Sequence, residues 1–325
     1  MSKRLRLGLV GAGRMGTYHA RAIAARDDAD LVAVCDVDRG RAARVAEAHG
    51  ATAVGHVAEL AGAVDAAVVA ASTPAHRDLA LALLGAGIAV LIEKPLAATA
   101  DEAREIAHAA RRAGVVTQAG HILRFDPVTR AVAGRRIRPA YVEVSWVSPF
   151  SFRSMDTGVV MDVMIHGLDV VLFLAGEMPE RVDAVGGVVV GPHEDFVNVR
   201  LAFPGGCVAT LSSSRMSRTR QRLVRVFADG AYVRMDYAAR TVEWLTPKPG
   251  LSDLVRVGSP PAETAMDDLV AVEQVPVETE PDALGAQLAS FLAAVRGQGE
   301  VAVTAEDGVR AVEVAERVIA AVHGR

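Results

Sequence analysis

A glycine-rich turn near the start of the chain has the spacing of a phosphate-binding loop. Glycines at positions 11, 13 and 16 follow the apolar run 5–10 and lead into a helix-favouring stretch at 17–25. Their tasks would be a tight turn, a close approach of the backbone to a pyrophosphate, and close packing of helix on strand. Amides at a helix start attract such an anion. The sequence therefore predicts a dinucleotide site that includes Gly11, Gly13, Arg14, Met15 and Gly16.

A carboxylate ends the next apolar run, residues 31–35, where the ribose of a dinucleotide is expected. Asp36 falls 20 residues after Gly16, and a carboxylate at this distance can accept hydrogen bonds from the ribose 2′-hydroxyl. A 2′-phosphate at the same place would meet like charge. NAD is therefore predicted as the cofactor in preference to NADP. The alternative interpretation is a tight turn that binds nothing.

Three ionisable side chains interrupt residues 159–174, a segment that is otherwise almost wholly apolar. Asp162, His166 and Asp169 follow one another at spacings of four and three residues, which places them on one stripe of a helix. An apolar helix must be buried, and burying ionisable groups is costly unless they are paired or used. Such groups gather in pockets, so the stripe predicts a functional site. The alternative is an Asp–His pair that only fastens the helix.

Lysine is rare in this chain, which makes each lysine informative. Of 35 basic residues only Lys3, Lys94 and Lys248 are lysines. Lys3 lies at the chain start and Lys248 in a proline-rich loop, whereas Lys94 closely follows the apolar run 88–92. Lys94 is therefore a candidate for chemistry.

The first part of the chain alternates between strand-like and helix-like segments. Apolar runs at 66–70, 88–92 and 115–118 are separated by helical patterns at 75–84 and 101–113, an order that demands right-handed crossovers and a parallel sheet. Ligands of such sheets bind beyond the carboxyl ends of the strands. This rule marks Ser72, Thr73, His76 and Glu93 as cofactor-binding candidates. It also marks Lys94 and His121 as residues of the site. The alternative for His76 is a polar residue in the first turn of a helix.

The pattern changes after Gly120. Strand-like runs at 141–147, 182–190, 196–203, 207–213, 223–227, 232–236 and 242–245 follow with short connections, which predicts an antiparallel or mixed sheet. Residues 246–265 are typical of a mobile loop. Helices at 281–296 and 305–322, the second capped by Thr304, end the chain, and their packing partner stays open. We predict an α/β Rossmann domain with a doubly wound parallel sheet at 1–122, and an α+β domain with a large, mostly antiparallel open sheet at 123–325.

The bulk composition excludes several classes of partner. A chain of 325 residues with 51% apolar content can build two cores. A net charge of −4 argues against nucleic acid. The basic stretch with arginines at 215, 218, 220, 222 and 225 alternates with apolar residues, which is typical of the solvated face of a strand. Two cysteines, no signal peptide and no apolar span predict a reduced, cytoplasmic protein without a membrane partner; no metal site is assigned.

Three motifs in this order resemble those of the Gfo/Idh/MocA oxidoreductases, among them glucose–fructose oxidoreductases and inositol dehydrogenases: Gly11-x-Gly13-x-x-Gly16-x-x-His19, Glu93-Lys94-Pro95, and Asp162-x-x-x-His166-x-x-Asp169. The resemblance covers the whole chain, and the second motif followed by the third is specific. It implies that Lys94, Asp162 and His166 are catalytic and that the Lys94–Pro95 bond is cis.

The implied roles fit hydride transfer between a carbinol carbon and a nicotinamide. This reaction needs a base for the hydroxyl proton and a cation beside the developing alkoxide. His166, oriented by Asp162, suits the base near neutral pH, and Lys94 suits the cation.

The segments 120–127 and 158–166 are most similar to the branch of the family that oxidises the 3-position of UDP-N-acetylglucosamine. The best expectation is therefore a UDP-sugar, with a sugar or cyclic polyol as the wider class. His121, Arg124 and Asp169 are the candidate substrate-binding residues, although Arg124 could instead pair with Asp126. Met164 stands where many relatives have glycine and would narrow the pocket floor. Analogy with the family predicts a homodimer or homotetramer through the open sheet.

Other functions are compatible with the same motifs. One is an inositol dehydrogenase, and another is an NAD-dependent glycosidase of the same family, which oxidises its sugar only transiently. A third is a regulator that senses NAD without catalysis. The presence of Lys94, Asp162 and His166 argues against the regulator.

Overall fold

The computed structural model describes residues 4–135, 137–150, 157–249, 251 and 266–324. Contacts divide the chain into two compact units. Unit 1 comprises Met1–Phe125 and Pro281–Glu316, and unit 2 comprises Asp126–Glu280 and Arg317–Arg325. In the described part of the chain, no helix combines the length and apolar character needed to cross a bilayer.

Unit 1 is built on a six-stranded sheet whose strands are all parallel, in the order β3-β2-β1-β4-β5-β6. The strands are β1 (Leu5–Val10), β2 (Ala29–Cys35), β3 (Thr52–Val54), β4 (Ala66–Val69), β5 (Ala89–Glu93) and β6 (Thr117–Gly120). The helices are α1 (Arg14–Ala24), α2 (Arg39–His49), α3 (His76–Gly85) and α4 (Ala100–Ala113), with short 3-10 turns at Val57–Leu60, Thr73–Ala75 and Ile122–Phe125. The predicted doubly wound sheet is confirmed.

Helix boundaries in unit 1 follow the chemistry of their caps. The Thr99 hydroxyl accepts the Glu102 amide at the start of α4, and Gly114 ends that helix with a left-handed conformation. Helix α2 is capped in the same way, by the Asp38 carboxylate at its start and by Gly50 at its end. Helix α2 could not be predicted from the sequence, because its buried face consists only of Ala42 and Ala46 and two alanines do not create an apolar periodicity.

Unit 2 is built on an eight-stranded sheet in the order β14-β13-β12-β11-β7-β10-β9-β8. Neighbouring strands are antiparallel except β7 and β10, which run parallel. The strands are β7 (Pro139–Val147), β8 (Arg181–Gly187), β9 (Phe196–Ala202), β10 (Val208–Ser214), β11 (Gln221–Ala228), β12 (Ala231–Asp236), β13 (Thr241–Pro247) and β14 (Val270–Val275). The helical segments are α5 (Pro127–Ala133), a π-helical turn (Val160–Met164), α6 (Ile165–Ala175) and α7 (Met266–Leu269). The mostly antiparallel sheet is confirmed.

One face of this sheet, called the inner face, packs against α6. It carries the buried side chains of Val142, Val144 and Trp146, while the alternate residues of β7 point to the outer face. Gly167 lets α6 approach closely, since a Cβ at that position would lie 2.9 Å from Val144. The register of β7 therefore decides which side chains face the helix that bears His166.

Two further elements differ from the sequence prediction. Strand β8 ends at Gly187 instead of residue 190, because the amides of Val189, Val190 and Gly191 donate to the Asp195 carboxylate and not to a neighbouring strand. In the predicted loop 246–265, residues 246 and 247 complete β13, and residues 250 and 252–265 lie outside the described part of the chain.

The two closing helices are α8 (Ala283–Val295) and α9 (Ala305–His323). The predicted boundary at residue 122 assigned both to the second domain, whereas residues 281–316 belong to unit 1. Leu288, Phe291 and Leu292 of α8 belong to the core formed with Leu7 and Leu9 of β1. In α9 the Thr304 cap is present, with its hydroxyl accepting the Asp307 amide. The sequence did not predict that residues 281–316 belong to unit 1, because an apolar helix face does not reveal which sheet it covers.

Candidate active site

The glycine loop of unit 1 is shaped by contacts that only glycine permits. Gly11 has φ +97°, and a Cβ there would lie 2.5 Å from the Ala71 amide nitrogen. A Cβ on Gly16 would lie 1.9 Å from the Gly11 carbonyl oxygen. At Gly13, by contrast, a Cβ would meet no described atom within 4 Å. Two glycines thus close the turn, and the third leaves backbone open to a ligand.

Asp36 ends β2 with its carboxylate held by backbone and side-chain donors. One oxygen accepts the Ala12 amide at 2.7 Å, which ties the carboxylate to the glycine loop. The other accepts the Asp38 amide at 2.8 Å and the Arg41 guanidinium at 3.2 Å. A carboxylate has about four acceptor sites. Three donors therefore fix its orientation and leave room for a ligand hydroxyl.

A cleft of about 400 Å³ lies over the glycine loop. Four predicted cofactor residues, Gly11, Gly13, Asp36 and Ser72, line it. The other lining residues are Val10, Cys35, Val37, Arg41, Gly55, His56, Val57, Ala70, Ala71, Ala75 and Leu79. The open backbone at Gly13 and the carboxylate of Asp36 fit a dinucleotide.

The remaining predicted cofactor residues do not line this cleft. Arg14 and Met15 are exposed in the first turn of α1, where the Arg14 guanidinium lies 5.5 Å from the Tyr18 ring. Thr73 begins the 3-10 turn after β4. His76 and Glu93 are buried, and each is hydrogen-bonded within unit 1.

His76 connects two loops of unit 1. Its ring is 1% exposed, with Nδ1 3.0 Å from the Pro95 carbonyl and Nε2 3.1 Å from the Ala71 carbonyl. Burial lowers the pKa of His76, although the two carbonyls oppose that shift. Because each ring nitrogen already faces backbone, the structure favours a structural tie for His76.

Glu93 and His19 form a buried pair directly before Lys94. His19 Nε2 lies 2.7 Å from one Glu93 oxygen, and the other oxygen accepts the Lys94 amide at 3.2 Å. Burial alone would raise the pKa of Glu93, but the His19 hydrogen bond, followed by the charges of His19 and Lys94, holds it below its ordinary value. The Lys94–Pro95 peptide bond is cis, as the resemblance implies. Glu93 thus supports the backbone that presents Lys94.

The helix that carries Asp162, His166 and Asp169 is not a uniform α-helix. Asp162 lies within the π-helical turn, and His166 and Asp169 lie in α6. Asp162 and His166 are half-buried, whereas Asp169 is 1% exposed. The three residues therefore do not follow the regular α-helical stripe that the sequence predicts, because a π-turn rotates Asp162 relative to the residues that follow. Such turns are frequent at functional sites.

An aromatic residue of the inner face lies against His166. Its ring stacks against Trp146, with centroids 6.5 Å apart and planes 24° from parallel. Trp146 also contacts Tyr237, whose hydroxyl lies 2.9 Å from the Thr129 hydroxyl. Burial, together with the charges of Asp126 and Asp169, raises the pKa of Tyr237, although the bond to Thr129 opposes the shift. The Tyr237 phenol therefore stays neutral, and Trp146 fixes one side of His166.

A second buried group fixes the start of the π-turn. The Glu194 carboxylate accepts the Val160 amide at 3.2 Å, and a Cβ on Gly158 would overlap that carboxylate. Next to it, Asp195 binds Arg215 at 2.7 Å, and Arg215 donates to the Thr157 carbonyl at 3.0 Å. The loop before β9 thus sets where the helix with Asp162 begins.

The predicted substrate residues His121 and Arg124 lie just beyond β6. His121 is buried, and Arg124 is half-buried in the 3-10 turn Ile122–Phe125. Asp126, the alternative partner suggested for Arg124, accepts the Val128 amide and caps α5.

The prediction that the basic stretch forms one solvated face is wrong. Arg215 is buried with Asp195, while Arg225 pairs with Glu143 on the outer face. Arg222 lies opposite Trp146 on the inner face. The alternation of polar and apolar residues within one strand cannot show that Arg215 pairs with Asp195, which lies 20 residues away.

Two further features of the site were not predicted from the sequence. They are Arg41 at the cleft and the His19–Glu93 pair, although His19 belongs to the glycine motif.

Comparisons with known proteins agree with this architecture. The sequence profile of the oxidoreductase family with an NAD-binding Rossmann fold, GFO_IDH_MocA, matches residues 5–121. The profile of the GFO/IDH/MocA C-terminal domain matches residues 131–234.

Individual relatives cover most of the chain. A UDP-N-acetylglucosamine 3-dehydrogenase from Acidithiobacillus ferrooxidans is 34% identical over 239 residues, which is 73% of this chain and 76% of the relative. An inositol 2-dehydrogenase from Rhizobium meliloti is 28% identical over 98% of this chain and 97% of the relative. The solved structure of UDP-N-acetylglucosamine 3-dehydrogenase GnnA from A. ferrooxidans superposes with a TM-score of 0.88 at 30% identity and covers 99% of each chain.

Proposed function

Because this chain belongs to the GFO/IDH/MocA family of NAD-binding oxidoreductases, we propose that it oxidises the 3-hydroxyl of a UDP-sugar with NAD. The wider assignment, a dehydrogenase that acts on an alcohol group of a sugar or polyol, follows from the family. The finer assignment of substrate, cofactor preference and residue roles is the proposal.

The observation that carries the proposal is the pairing of open backbone at Gly13 with the fixed carboxylate of Asp36 in one cleft. Loop amides and the start of α1 would hold the pyrophosphate, and Asp36 would accept a ribose hydroxyl. When bound, the nicotinamide supplies a hydride acceptor.

We propose NAD over NADP because of the charges near Asp36. A 2′-phosphate would meet the Asp36 carboxylate. Among the described residues that line the cleft, Arg41 is the arginine that could offset this repulsion, but its guanidinium already binds Asp36 at 3.2 Å and Asp38 at 3.4 Å.

In the proposed chemistry, the alcohol carbon loses its hydride and the hydroxyl loses its proton. His166 accepts that proton, since imidazole is the side chain best matched to neutral pH. Asp162 orients His166, and the Lys94 ammonium stabilises the oxygen as it gains negative charge. Trp146 limits the positions open to the His166 ring.

The choice of a UDP-sugar is supported by one relative, in both sequence and structure. The UDP-N-acetylglucosamine enzyme matches at 34% identity and its structure at a TM-score of 0.88, against 28% for the inositol enzyme. Arg124 is the proposed substrate contact. His121 and Asp169 are each 1% exposed, so we propose that they act through their neighbours.

We further propose a homodimer or homotetramer formed through the outer face of the unit 2 sheet. A row of apolar side chains crosses adjacent strands there: Val272, Leu245, Tyr232, Phe227 and Tyr141. Phe227 is 41% exposed and Val272 47%, so the row offers apolar area to a second copy. Native mass spectrometry tests this directly, and a monomer at micromolar concentration would contradict it.

The test of function is NADH formation with a panel of UDP-N-acetylglucosamine, UDP-glucose, N-acetylglucosamine, glucose and myo-inositol. We expect the UDP-sugars to give the highest kcat/KM. Preference for myo-inositol would identify an inositol dehydrogenase. Release of a free aglycone without net NADH would identify a glycosidase, and NAD binding without turnover of any compound would identify a regulator.

A further inference from the structure

Arg222 occupies an unusual position for a surface-type residue. On β11 it lies opposite Trp146, on the inner face, whereas Arg225 of the same strand lies opposite Glu143 on the outer face. The guanidinium of Arg222 is 5.4 Å from the centre of the Trp146 ring, and the residue is half-buried.

Arg222 also differs from other arginines of the sheet in its partners. Arg215, Arg225 and Arg234 each bind a carboxylate at 3.0 Å or less. Within the described residues, the side chain of Arg222 makes no hydrogen bond or ion pair. Burial and the charge of Arg220 lower the pKa of Arg222, while the charge of Asp126 opposes that shift. Arginine nevertheless stays protonated in proteins, so Arg222 is a partly desolvated cation without an ion-pair partner among the residues that the structure describes.

The position of this cation relates it to the proposed base. The Trp146 ring contacts both the Arg222 guanidinium and the His166 imidazole, the latter at 6.5 Å between centroids. A molecule that presents a hydroxyl to His166 would therefore bring its other substituents near Arg222. A cation over the face of a tryptophan ring is attracted by the electrons of that ring, so Trp146 helps to hold the Arg222 guanidinium in place.

From these contacts we propose that Arg222 binds an anionic group of the substrate, with two guanidinium N–H groups donating to two oxygens of a phosphate or carboxylate. The inference rests on the proposed function for the identity of the reacting hydroxyl. It adds that the substrate is charged, which a UDP-sugar or a sugar acid satisfies and a neutral inositol does not. Bidentate guanidinium contacts to such groups are among the stronger hydrogen bonds in proteins.

Calorimetric binding to the enzyme saturated with NADH tests this proposal without requiring turnover. The probes are UDP, inorganic pyrophosphate and D-glucuronate, and the proteins are wild type, Arg222→Met, Arg222→Lys and Arg225→Met. Methionine retains apolar contact with Trp146 and removes the charge. Arg225→Met is the matched control, since it removes a cation of the same strand from the opposite face.

We expect wild type to bind UDP and pyrophosphate, with Arg222→Met weakening both by on the order of 10- to 100-fold, the usual loss for a charge-assisted contact. Arg222→Lys should recover part of the affinity, and Arg225→Met should match wild type. If glucuronate alone shows this pattern, the bound group is a carboxylate. Equal binding by wild type and Arg222→Met, or no binding of any probe to wild type, would overturn the proposal.

Turnover separates this inference from the proposed function. If wild type oxidises UDP-N-acetylglucosamine and Arg222→Met does so with the same kcat/KM, the proposed function stands and the role of Arg222 is wrong. If no compound of the panel is oxidised while Arg222→Met still weakens pyrophosphate binding, the anion site stands and the proposed function is wrong.

Discussion

The cofactor cleft of unit 1 and the inner sheet face of unit 2 hold their polar groups in different ways. In the cleft, the determining groups are backbone amides and glycines close together in the chain, with Asp36 tied to the Ala12 amide. On the inner face, the determining groups are side chains. They come from segments far apart in the chain: His166, Trp146, Arg222 and Tyr237.

This difference has consequences for substitution. A side chain removed from the cleft leaves the amides and the helix start in place, so dinucleotide affinity should change moderately. On the inner face, by contrast, substitution of His166 would remove the proposed base itself. Interactions made only in the transition state affect kcat, whereas uniform binding affects KM.

The largest expected effect is that of His166→Asn. Asparagine preserves polarity and approximate size but cannot accept the proton, so kcat for oxidation should fall by on the order of 10²-fold or more. Asp162→Asn should produce a smaller loss in the same direction, since it disturbs the orientation of His166 without removing it. Stopped-flow measurement of NADH formation checks both variants.

Thermal melts on the same two proteins distinguish catalysis from packing. If the polar helix residues were only a structural pair, both variants would melt at lower temperature and keep their rate per folded molecule. A destabilised but fully active His166→Asn would move the base elsewhere, with His121 as the next candidate.

Asp195→Asn should mainly reduce stability. Neither Asp195 nor Arg215 is more than 5% exposed, and breaking such a pair costs about 3 kcal/mol or more. Burial alone would raise the pKa of Asp195, but the Val190 and Val189 amides, Arg215 and the Gly191 amide hold it well below its ordinary value. The stabilisation is therefore present above the ordinary aspartate pKa and is lost as pH falls below it.

Urea unfolding between neutral and acidic pH measures this effect. Wild type should lose free energy of unfolding on acidification, and Asp195→Asn should lose less because its contribution is already absent. Asp183→Asn is the control, since Asp183 and its partner Arg181 are more than half exposed and such pairs contribute little. Equal stability of wild type and Asp195→Asn at neutral pH would show that the pair does not brace the loop.

A smaller effect is expected at the cleft from Asp36→Ala. The variant removes repulsion of a 2′-phosphate and frees Arg41 from its ion pair, so NADPH affinity should improve relative to NADH by about 10-fold. Fluorescence titration with the two reduced cofactors gives the ratio. Adding Arg41→Ala to Asp36→Ala should remove the part of the gain that comes from the released Arg41 and leave the part that comes from the lost repulsion. Comparable wild-type affinities for NADH and NADPH would contradict the role of Asp36.

The same comparison explains what could be predicted from the sequence. The glycine loop and β1 could be predicted because the three glycines lie within six residues of one another, and Asp36 because a carboxylate about 20 residues after the last glycine is part of the same sequence pattern. The contacts of Arg215 and Arg222 could not be predicted, because Asp195 and Trp146 are distant in the chain and only the folded sheet brings them close. The π-turn has no residue pattern that separates it from an α-helix.

Helix α8 illustrates the same limit at the level of domains. Its apolar face was evident, but Phe291 could have covered either sheet, and only the structure places it against β1. Local chemistry thus determines caps and turns, while long-range packing determines which unit a helix completes.

The most direct test of the account concerns Lys94. Turnover of UDP-N-acetylglucosamine and NADH affinity are measured together on wild type and Lys94→Ala, with Lys248→Ala as the matched lysine control. The account predicts a loss of kcat on the order of 10²-fold or more for Lys94→Ala, NADH affinity close to wild type, and a fully active Lys248→Ala. A Lys94→Ala protein that folds, binds NADH and turns over at the wild-type rate would contradict it.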